Sequence, residues 1–140
     1  MAECTRHVLV VDDDRTACLM AASYLRQAGW TVSTAHSPDS AFAAADSIRL
    51  SLLVTDLQLE AKIDGVDVFR SIRERQPFLR GILLSAHVDY ATILRVIESG
   101  FDDCLMKPAD RSAIISAAES SCTTFTRWSS RIADLRQIHR

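Results

Sequence analysis

Five short apolar runs alternate with segments of helical periodicity, and this alternation limits the fold more than any other feature of the chain. The runs are HVLVV (7–11), WTVST (30–34), SLLVT (51–55), GILLS (81–85) and CLM (104–106). Most are continuously apolar, which is typical of parallel strands covered on both faces. With 140 residues, 48% of them hydrophobic, the chain can bury a core around such a sheet.

The segments between these runs carry helix signals, with apolar residues at intervals of three and four. Asp14 is suited to cap a first helix, and Ser37 is suited to cap a second helix that has Pro38 at its first position. Further helices are expected over 65–76, over 89–99 and from about Asp110. A strand–helix unit that occurs five times predicts an α/β fold, with a parallel sheet and helices on both of its faces.

Charge and composition argue against several classes of protein. Lys and Arg number 16 against 18 Asp and Glu, so there is no electrostatic support for nucleic-acid or anionic-membrane partners. No apolar run reaches the roughly 18 residues of a membrane span, and the N-terminus does not resemble a signal peptide. The cysteines, at positions 4, 18, 104 and 122, show no CxxC spacing. We therefore expect reduced, mostly buried thiols in a cytoplasmic protein, and no zinc site.

Reactive side chains follow four of the five predicted strands. The carboxyl ends of parallel strands meet at one edge of a sheet, which is where ligands bind. The residues expected at this edge are Asp12, Asp13, Asp56, Ser85 and Lys107. Clustered carboxylates suit Mg²⁺, and an amine and a hydroxyl can bind phosphoryl oxygens. One carboxylate could also act as a nucleophile and form an aspartyl-phosphate.

Other polar residues near this edge have ordinary structural interpretations. Asp14 is better explained as a helix cap than as a metal ligand. Asp102 and Asp103 are expected in a turn, and His36 and His87 in surface loops. Each of the three remaining residues of the predicted site is common at strand ends or on surfaces when it is taken singly: Asp56, Ser85 and Lys107. The prediction of a site therefore depends on their shared position.

The motif VLVVDDDRT fits two families of Mg²⁺-dependent phosphotransfer proteins. A haloacid-dehalogenase-type phosphatase begins with an apolar strand and the pattern DxDx[TV], which Asp12, Asp14 and Thr16 match. That family also needs an acidic pair after its Lys, whereas the acidic pair here precedes Lys107. It would also leave Asp56 without a role. A phosphohydrolase is for these reasons the less favoured of the two interpretations, and it is kept as the alternative.

The sequence resembles the receiver domains of two-component response regulators more closely, over residues of about 6 to 122. The motifs DD after strand one, TDLQL…DG after strand three, LLSA at strand four and KP after strand five follow that family's order and spacing. The resemblance implies a flavodoxin-like fold with five parallel strands in the order 2-1-3-4-5. It also implies a receiver domain over 5–122, followed by a helical extension or linker over 123–140.

The resemblance implies a role for each residue at the sheet edge. Asp56 would be the phosphoacceptor, and Mg²⁺ would be held by Asp13, by Asp56 and by the backbone carbonyl of Gln58. Asp12 would act mostly through a metal-bound water. The hydroxyl of Ser85 would bond a phosphoryl oxygen and act as a switch. Lys107, which follows the fifth strand, would pair with the phosphate.

In this family the peptide bond between Lys107 and Pro108 is expected to be cis.

Two departures from the family pattern concern how the signal travels. Glu60 stands where a Pro is common, in a loop one residue longer than usual. Cys104 occupies the position of the switch aromatic. Either the switch hydroxyl then signals through backbone and fourth-helix shifts, or an aromatic neighbour, Tyr90 or Phe101, substitutes.

The resemblance implies a signal receiver rather than an enzyme with substrate turnover. A sensor histidine kinase or a histidine phosphotransfer protein would donate the phosphoryl group, and only autodephosphorylation would remove it within this chain. Phosphorylation would switch the helix 4–strand 5–helix 5 face toward an unknown downstream protein. No DNA-binding output domain is expected after residue 122. A receiver that only binds proteins, without phosphorylation, is a further alternative.

The tail carries apolar and aromatic residues at steps of three and four: Phe125, Trp128, Ile132, Leu135 and His139. We expect a helix that continues the fifth one, although two heptads are short for a coiled coil. This helix could pair with a second chain, fold back on its own domain, or begin a linker. A homodimer could therefore form through the tail or through the helix 4–strand 5–helix 5 face.

Overall fold

The five apolar runs form one parallel sheet in a computed structural model, which describes residues 4 to 138. The strands are β1 (His7–Val11), β2 (Thr31–Ala35), β3 (Leu52–Asp56), β4 (Arg80–Ser85) and β5 (Asp103–Met106). They lie in the order β2-β1-β3-β4-β5, and every neighbouring pair is parallel. The predicted flavodoxin-like (βα)5 fold is confirmed. Asp103 was expected in a turn, but it begins β5 because its backbone pairs with Ile82.

Helices connect the strands and cover both faces of the sheet. They are α1 (Arg15–Gln27), α2 (Pro38–Ser47), α3 (Gly65–Arg75), α4 (Tyr90–Glu98) and α5 (Arg111–Ile138). The Asp14 carboxylate accepts hydrogen bonds from the first turn of α1, and Ser37 caps α2 ahead of Pro38, as predicted. Gly29, after α1, has φ +92°, a left-handed conformation that glycine adopts without strain.

The core consists of two apolar layers, one on each face of the sheet. On one face, Leu25 of α1 and Ala118 of α5 pack with Val10 of β1. On the other face, Phe69 of α3 packs with Leu53 of β3. Burial of these apolar layers stabilises the fold and fixes the central strands on which the site is built.

Helix α5 continues without interruption through residue 122 and beyond. Phe125 is buried, and its ring meets the edge of Phe78 at a centroid distance of 6.1 Å. Trp128 and Leu135 are about half exposed, whereas His139 lies outside the described residues. The start of the tail therefore packs against its own domain as a continuation of α5. Neither α5 nor any other helix between residues 4 and 138 is long and apolar enough to cross a membrane.

The expectation of four reduced thiols is wrong for one pair. Cys4 and Cys122 form a disulfide that joins the N-terminal segment to α5, while Cys18 and Cys104 are free. The N-terminal segment passes beside α5, so the two Cα atoms lie 5.6 Å apart, within the range for such a bond. The two cysteines are 118 residues apart in the sequence, and their spacing carries no signal of this contact.

Candidate functional site at the carboxyl edge of the sheet

The strand register brings the predicted site residues to one edge. The last residue of β1 pairs with Thr55 of β3, so Asp12 and Asp56 follow side by side. The last residue of β4, Ser85, pairs with the last residue of β5, so Lys107 follows at the same edge. Four strands thus deliver the acids, the hydroxyl and the amine to one place.

Asp12, Asp13 and Asp56 form an acidic cluster. One carboxylate oxygen of each lies within 4.8 Å of the others. Asp12 is buried, and Asp13 and Asp56 are half-buried. Carboxylates this close repel one another unless a cation lies between them. Their oxygens are the ligands that Mg²⁺ prefers, so the residues present fit that ion.

Lys107 compensates part of the negative charge. Its ammonium donates a hydrogen bond to Oδ2 of Asp12 at 2.7 Å and lies 3.4 Å from Oδ2 of Asp56. Burial acts to lower the pKa of Lys107, but the two carboxylates outweigh it and raise the pKa above the ordinary value. Lys107 is therefore a fixed positive charge beside the acidic cluster.

Asp56 carries an oriented carboxylate. Its Oδ1 accepts a hydrogen bond from the backbone N–H of Leu57 at 2.9 Å. Burial raises the pKa of Asp56, an effect that the charge of Lys107 opposes and that of Asp12 reinforces. The other oxygen, Oδ2, points to the ammonium. A half-buried carboxylate with one oxygen tied to the backbone and the other beside a cation is suited to nucleophilic attack on a phosphoryl group.

Ser85 is buried at the same edge, but its hydroxyl is engaged locally. It donates a hydrogen bond to the carbonyl of His87 at 2.9 Å and accepts one from the His87 N–H at 3.3 Å. The backbone N–H of Lys107 donates to the Ser85 carbonyl at 2.9 Å. The peptide bond between Lys107 and Pro108 is cis. The hydroxyl is thus tied to the β4–α4 turn rather than to the acidic cluster.

The β3–α3 loop borders the acidic cluster. Gln58 is exposed, two residues after Asp56. Glu60 has φ +47°, which proline cannot adopt because its ring holds φ near −65°. The Pro that is common at this position in the family would therefore not fit the conformation of this longer loop. At the end of the loop, a Cβ on Gly65 would collide with the backbone carbonyl of Asp56.

Two contacts near the site were missed by the sequence analysis. The ring of His36 donates from Nδ1 to the backbone carbonyl of Asp12 at 2.9 Å. His36 lies in the loop after β2, as expected, and the order in which β2 neighbours β1 is the signal that could have placed it beside Asp12. Arg95 of α4 forms ion pairs with Asp64 and Asp67 at the start of α3. No short-range pattern in the sequence marks that link.

Cys104, at the position of the family's switch aromatic, is half-buried and packs against a cluster that includes Val96 of α4. Burial raises the pKa of its thiol. Of the two aromatic alternatives, Phe101 stacks against Phe69 at a centroid distance of 4.2 Å, and Tyr90 is 78% exposed. Helix α4 therefore packs against the small side chain of Cys104, at the position where the family has an aromatic residue.

Residues 8–119 match the family model of the response regulator receiver domain. The probable transcriptional regulatory protein TcrX of Mycobacterium tuberculosis is 36% identical over 101 residues, which cover 72% of this chain and 43% of TcrX. The photosynthetic apparatus regulatory protein RegA of Cereibacter sphaeroides is 33% identical over 112 residues, which cover 80% of this chain and 60% of RegA.

Solved structures show the same likeness. NtrX from Brucella abortus superposes with a TM-score of 0.82 and is 28% identical, covering 92% of this chain and 29% of NtrX. The chain thus spans between 29% and 60% of the length of these three proteins. The similarity lies in the domain that carries the acidic cluster.

Proposed function

This chain belongs to the response regulator receiver domain family, and we propose that Asp56 accepts a phosphoryl group from the phosphohistidine of a sensor histidine kinase or a histidine phosphotransfer protein. One observation carries the proposal: an Oδ2 of Asp56 lies 3.4 Å from a lysine ammonium, within an acidic cluster. The phosphatase alternative loses support because Asp14, which its motif needs, caps α1.

Mg²⁺ fits the acidic cluster, where it would offset the repulsion of the carboxylates and bind phosphoryl oxygen. Asp13, Asp56 and the backbone carbonyl of Gln58 would hold the ion, with Asp12 acting through a bound water. The hydrogen bond from His36 to the Asp12 carbonyl, at 2.9 Å, supports this assignment because it fixes the backbone of the acidic pair.

In the transfer, an Asp56 carboxylate oxygen forms a bond to phosphorus as the phosphorus–nitrogen bond of the donor histidine breaks. The electron pair of that bond leaves with the imidazole. Lys107 is already cationic and within reach, so it can pair with the charge that arrives on the phosphoryl oxygens. Positioning and charge compensation of this kind are the main requirements of phosphoryl transfer.

We propose that Ser85 then exchanges its hydrogen bond to the His87 carbonyl for one to a phosphoryl oxygen. That exchange would alter the β4–α4 turn and move α4, the helix whose one buried residue is Val96. Cys104 gives no aromatic relay, which supports a signal carried by the backbone and by α4. The surface that changes would be the α4–β5–α5 face, where Ile97 and Met106 are exposed.

A downstream protein, or a second copy of this chain, would read that face. TcrX carries the name of a probable transcriptional regulatory protein and RegA that of a photosynthetic apparatus regulatory protein, but the chain spans only part of each. The proposal that Asp56 is phosphorylated therefore does not depend on whether the output acts through DNA or on the oligomeric state. We place the receiver domain at 5–122 and assign 123–140 to a helical extension or linker. A cytoplasmic location, where such donors act, stays a prediction.

Intact mass after incubation with acetyl phosphate and Mg²⁺ tests the proposal. We expect one phosphoryl adduct on the wild type and on the control Asp39→Asn, an exposed acid on α2, and none on Asp56→Asn. Multiple turnover of phosphate esters that depends on Asp12 would support the phosphatase instead. The absence of both an adduct and metal binding would support a protein-binding module.

A further inference from the structure

A cavity of about 580 Å³ lies at the amino edge of the sheet, opposite the acidic cluster. Its floor includes Leu50 and Leu79, which precede β3 and β4 and are fully buried. One wall is formed by α5 beyond residue 119, where Phe125 and Ala133 line the cavity. This volume is typical of small-molecule sites, which span roughly 300–1,000 Å³.

The walls of this cavity are held by contacts that do not depend on a ligand. The disulfide between Cys4 and Cys122 anchors the N-terminal segment to α5, and the Cys4 N–H donates to Oγ1 of Thr126 at 3.2 Å. On the opposite wall, the Gln76 amide bonds the backbone of Leu50 and of the end of α2 at 2.8 to 3.0 Å. The cavity is therefore pre-formed.

The polar groups of the cavity favour an anion. Arg49, Arg75 and Arg136 line it together with one acid, Asp46, with which Arg75 forms an ion pair. Among the residues that the structure describes, Arg49 and Arg136 have no ion-pair partner.

We propose that this cavity binds a free small amphipathic anion, an apolar body that carries one carboxylate, sulfonate or phosphate group. The apolar body lies on Leu50, Leu79 and Phe125. The acidic group meets the guanidinium of Arg49 or Arg136. The site and Asp56 lie at opposite ends of the strands, so binding here needs no phosphoryl group.

Fluorescence titration of the full chain with 8-anilinonaphthalene-1-sulfonate tests this site. We expect saturable binding, with at least fivefold weaker binding of the uncharged analogue N-phenyl-1-naphthylamine. Ala133→Trp, which fills the cavity, should weaken binding at least tenfold, whereas Arg131→Trp, at an exposed position on the opposite side of α5, should change it less than twofold. Equal affinities for the charged and uncharged probes, or unchanged binding by Ala133→Trp, would overturn the proposal.

A smaller change tests the contribution of one polar group. Arg136→Gln should weaken binding about threefold, since it removes one screened charge, while the control Arg131→Gln on the same helix should not. Arg136→Gln and its control decide the question if Ala133→Trp fails to fold. Binding that appears only with phosphatidylglycerol vesicles would point to a lipid surface and contradict a free ligand.

Discussion

Helices α3 and α4 both lie next to the loop that follows Asp56, yet they are held in different ways. The buried residues of α3 are Gly65, Val66, Val68, Phe69 and Ile72, whereas α4 buries only Val96. Arg95 adds polar links from α4 to α3, while Tyr90 and Ile97 face solvent. Packing thus fixes the side that must position Asp56, the proposed phosphoacceptor. The side proposed to transmit the signal is held by contacts that are easily exchanged.

Truncation of one apolar residue on each helix gives the largest expected difference. Phe69→Ala should lower the free energy of unfolding by about 3–5 kcal/mol, because the ring is fully buried and leaves a cavity. Ile97→Ala, at a residue 64% exposed, should change it by about 0.5 kcal/mol or less. Urea denaturation measures both. Equal losses would show that α4 is packed as firmly as α3.

Gly65→Ala tests how closely the start of α3 packs against the backbone of Asp56. The new Cβ would collide with the Asp56 carbonyl, so we expect a loss of about 1–3 kcal/mol and slower phosphorylation by acetyl phosphate. Gly29→Ala is the control, because Gly29 has φ +92° and no atom near its missing side chain. It should lose stability but keep the phosphorylation rate. Equal rates in the two variants would contradict a positioning role for Gly65.

Arg95→Gln removes the polar link between the two helices. Both partners are partly exposed, so solvent screens the pair and the expected loss is about 0.2–1 kcal/mol. Amide hydrogen exchange should become faster in α4 and stay unchanged in α3. Arg70→Gln, at an exposed position of α3, serves as the control. Unchanged exchange in α4 would mean that Arg95 does not hold it.

The same link predicts a small pH effect. Burial acts to raise the pKa of Asp64, but hydrogen bonds from Arg95 and from the Asp67 backbone outweigh it and lower the pKa. This contribution to stability is present above the ordinary pKa of about 4 and is lost as the pH falls through the lower folded value. In Arg95→Gln the Asp64 pKa should rise and the loss in acid should shrink. Carboxyl NMR titration checks this, with Asp89 as an unaffected control.

The strands and the acidic cluster could be predicted because both follow from local order along the chain. An apolar run ends, a reactive residue follows, and parallel pairing brings the ends together. The capping roles of Asp14 and Ser37 were predictable for the same reason. The contacts that escaped prediction join distant segments: His36 to the Asp12 carbonyl, and Arg95 to the start of α3.

The tail shows where periodicity stops being informative. Steps of three and four predicted a helix, but they could not tell which side would contact the domain. Phe125 packs against Phe78, whereas Trp128, three residues later, stays half exposed. The disulfide between Cys4 and Cys122 escaped prediction because the course of the N-terminal segment beside α5 has no local pattern.

The cysteines also give this chain a built-in reporter. Cys4 and Cys122 are joined to each other. Cys18 is 1% exposed, and burial raises its pKa to about 11, so reagents that need a thiolate reach it slowly. Cys104 remains, half-buried beneath α4. A maleimide dye should therefore label Cys104 alone, without an engineered cysteine. The labelling rate should report how often α4 moves away from Cys104.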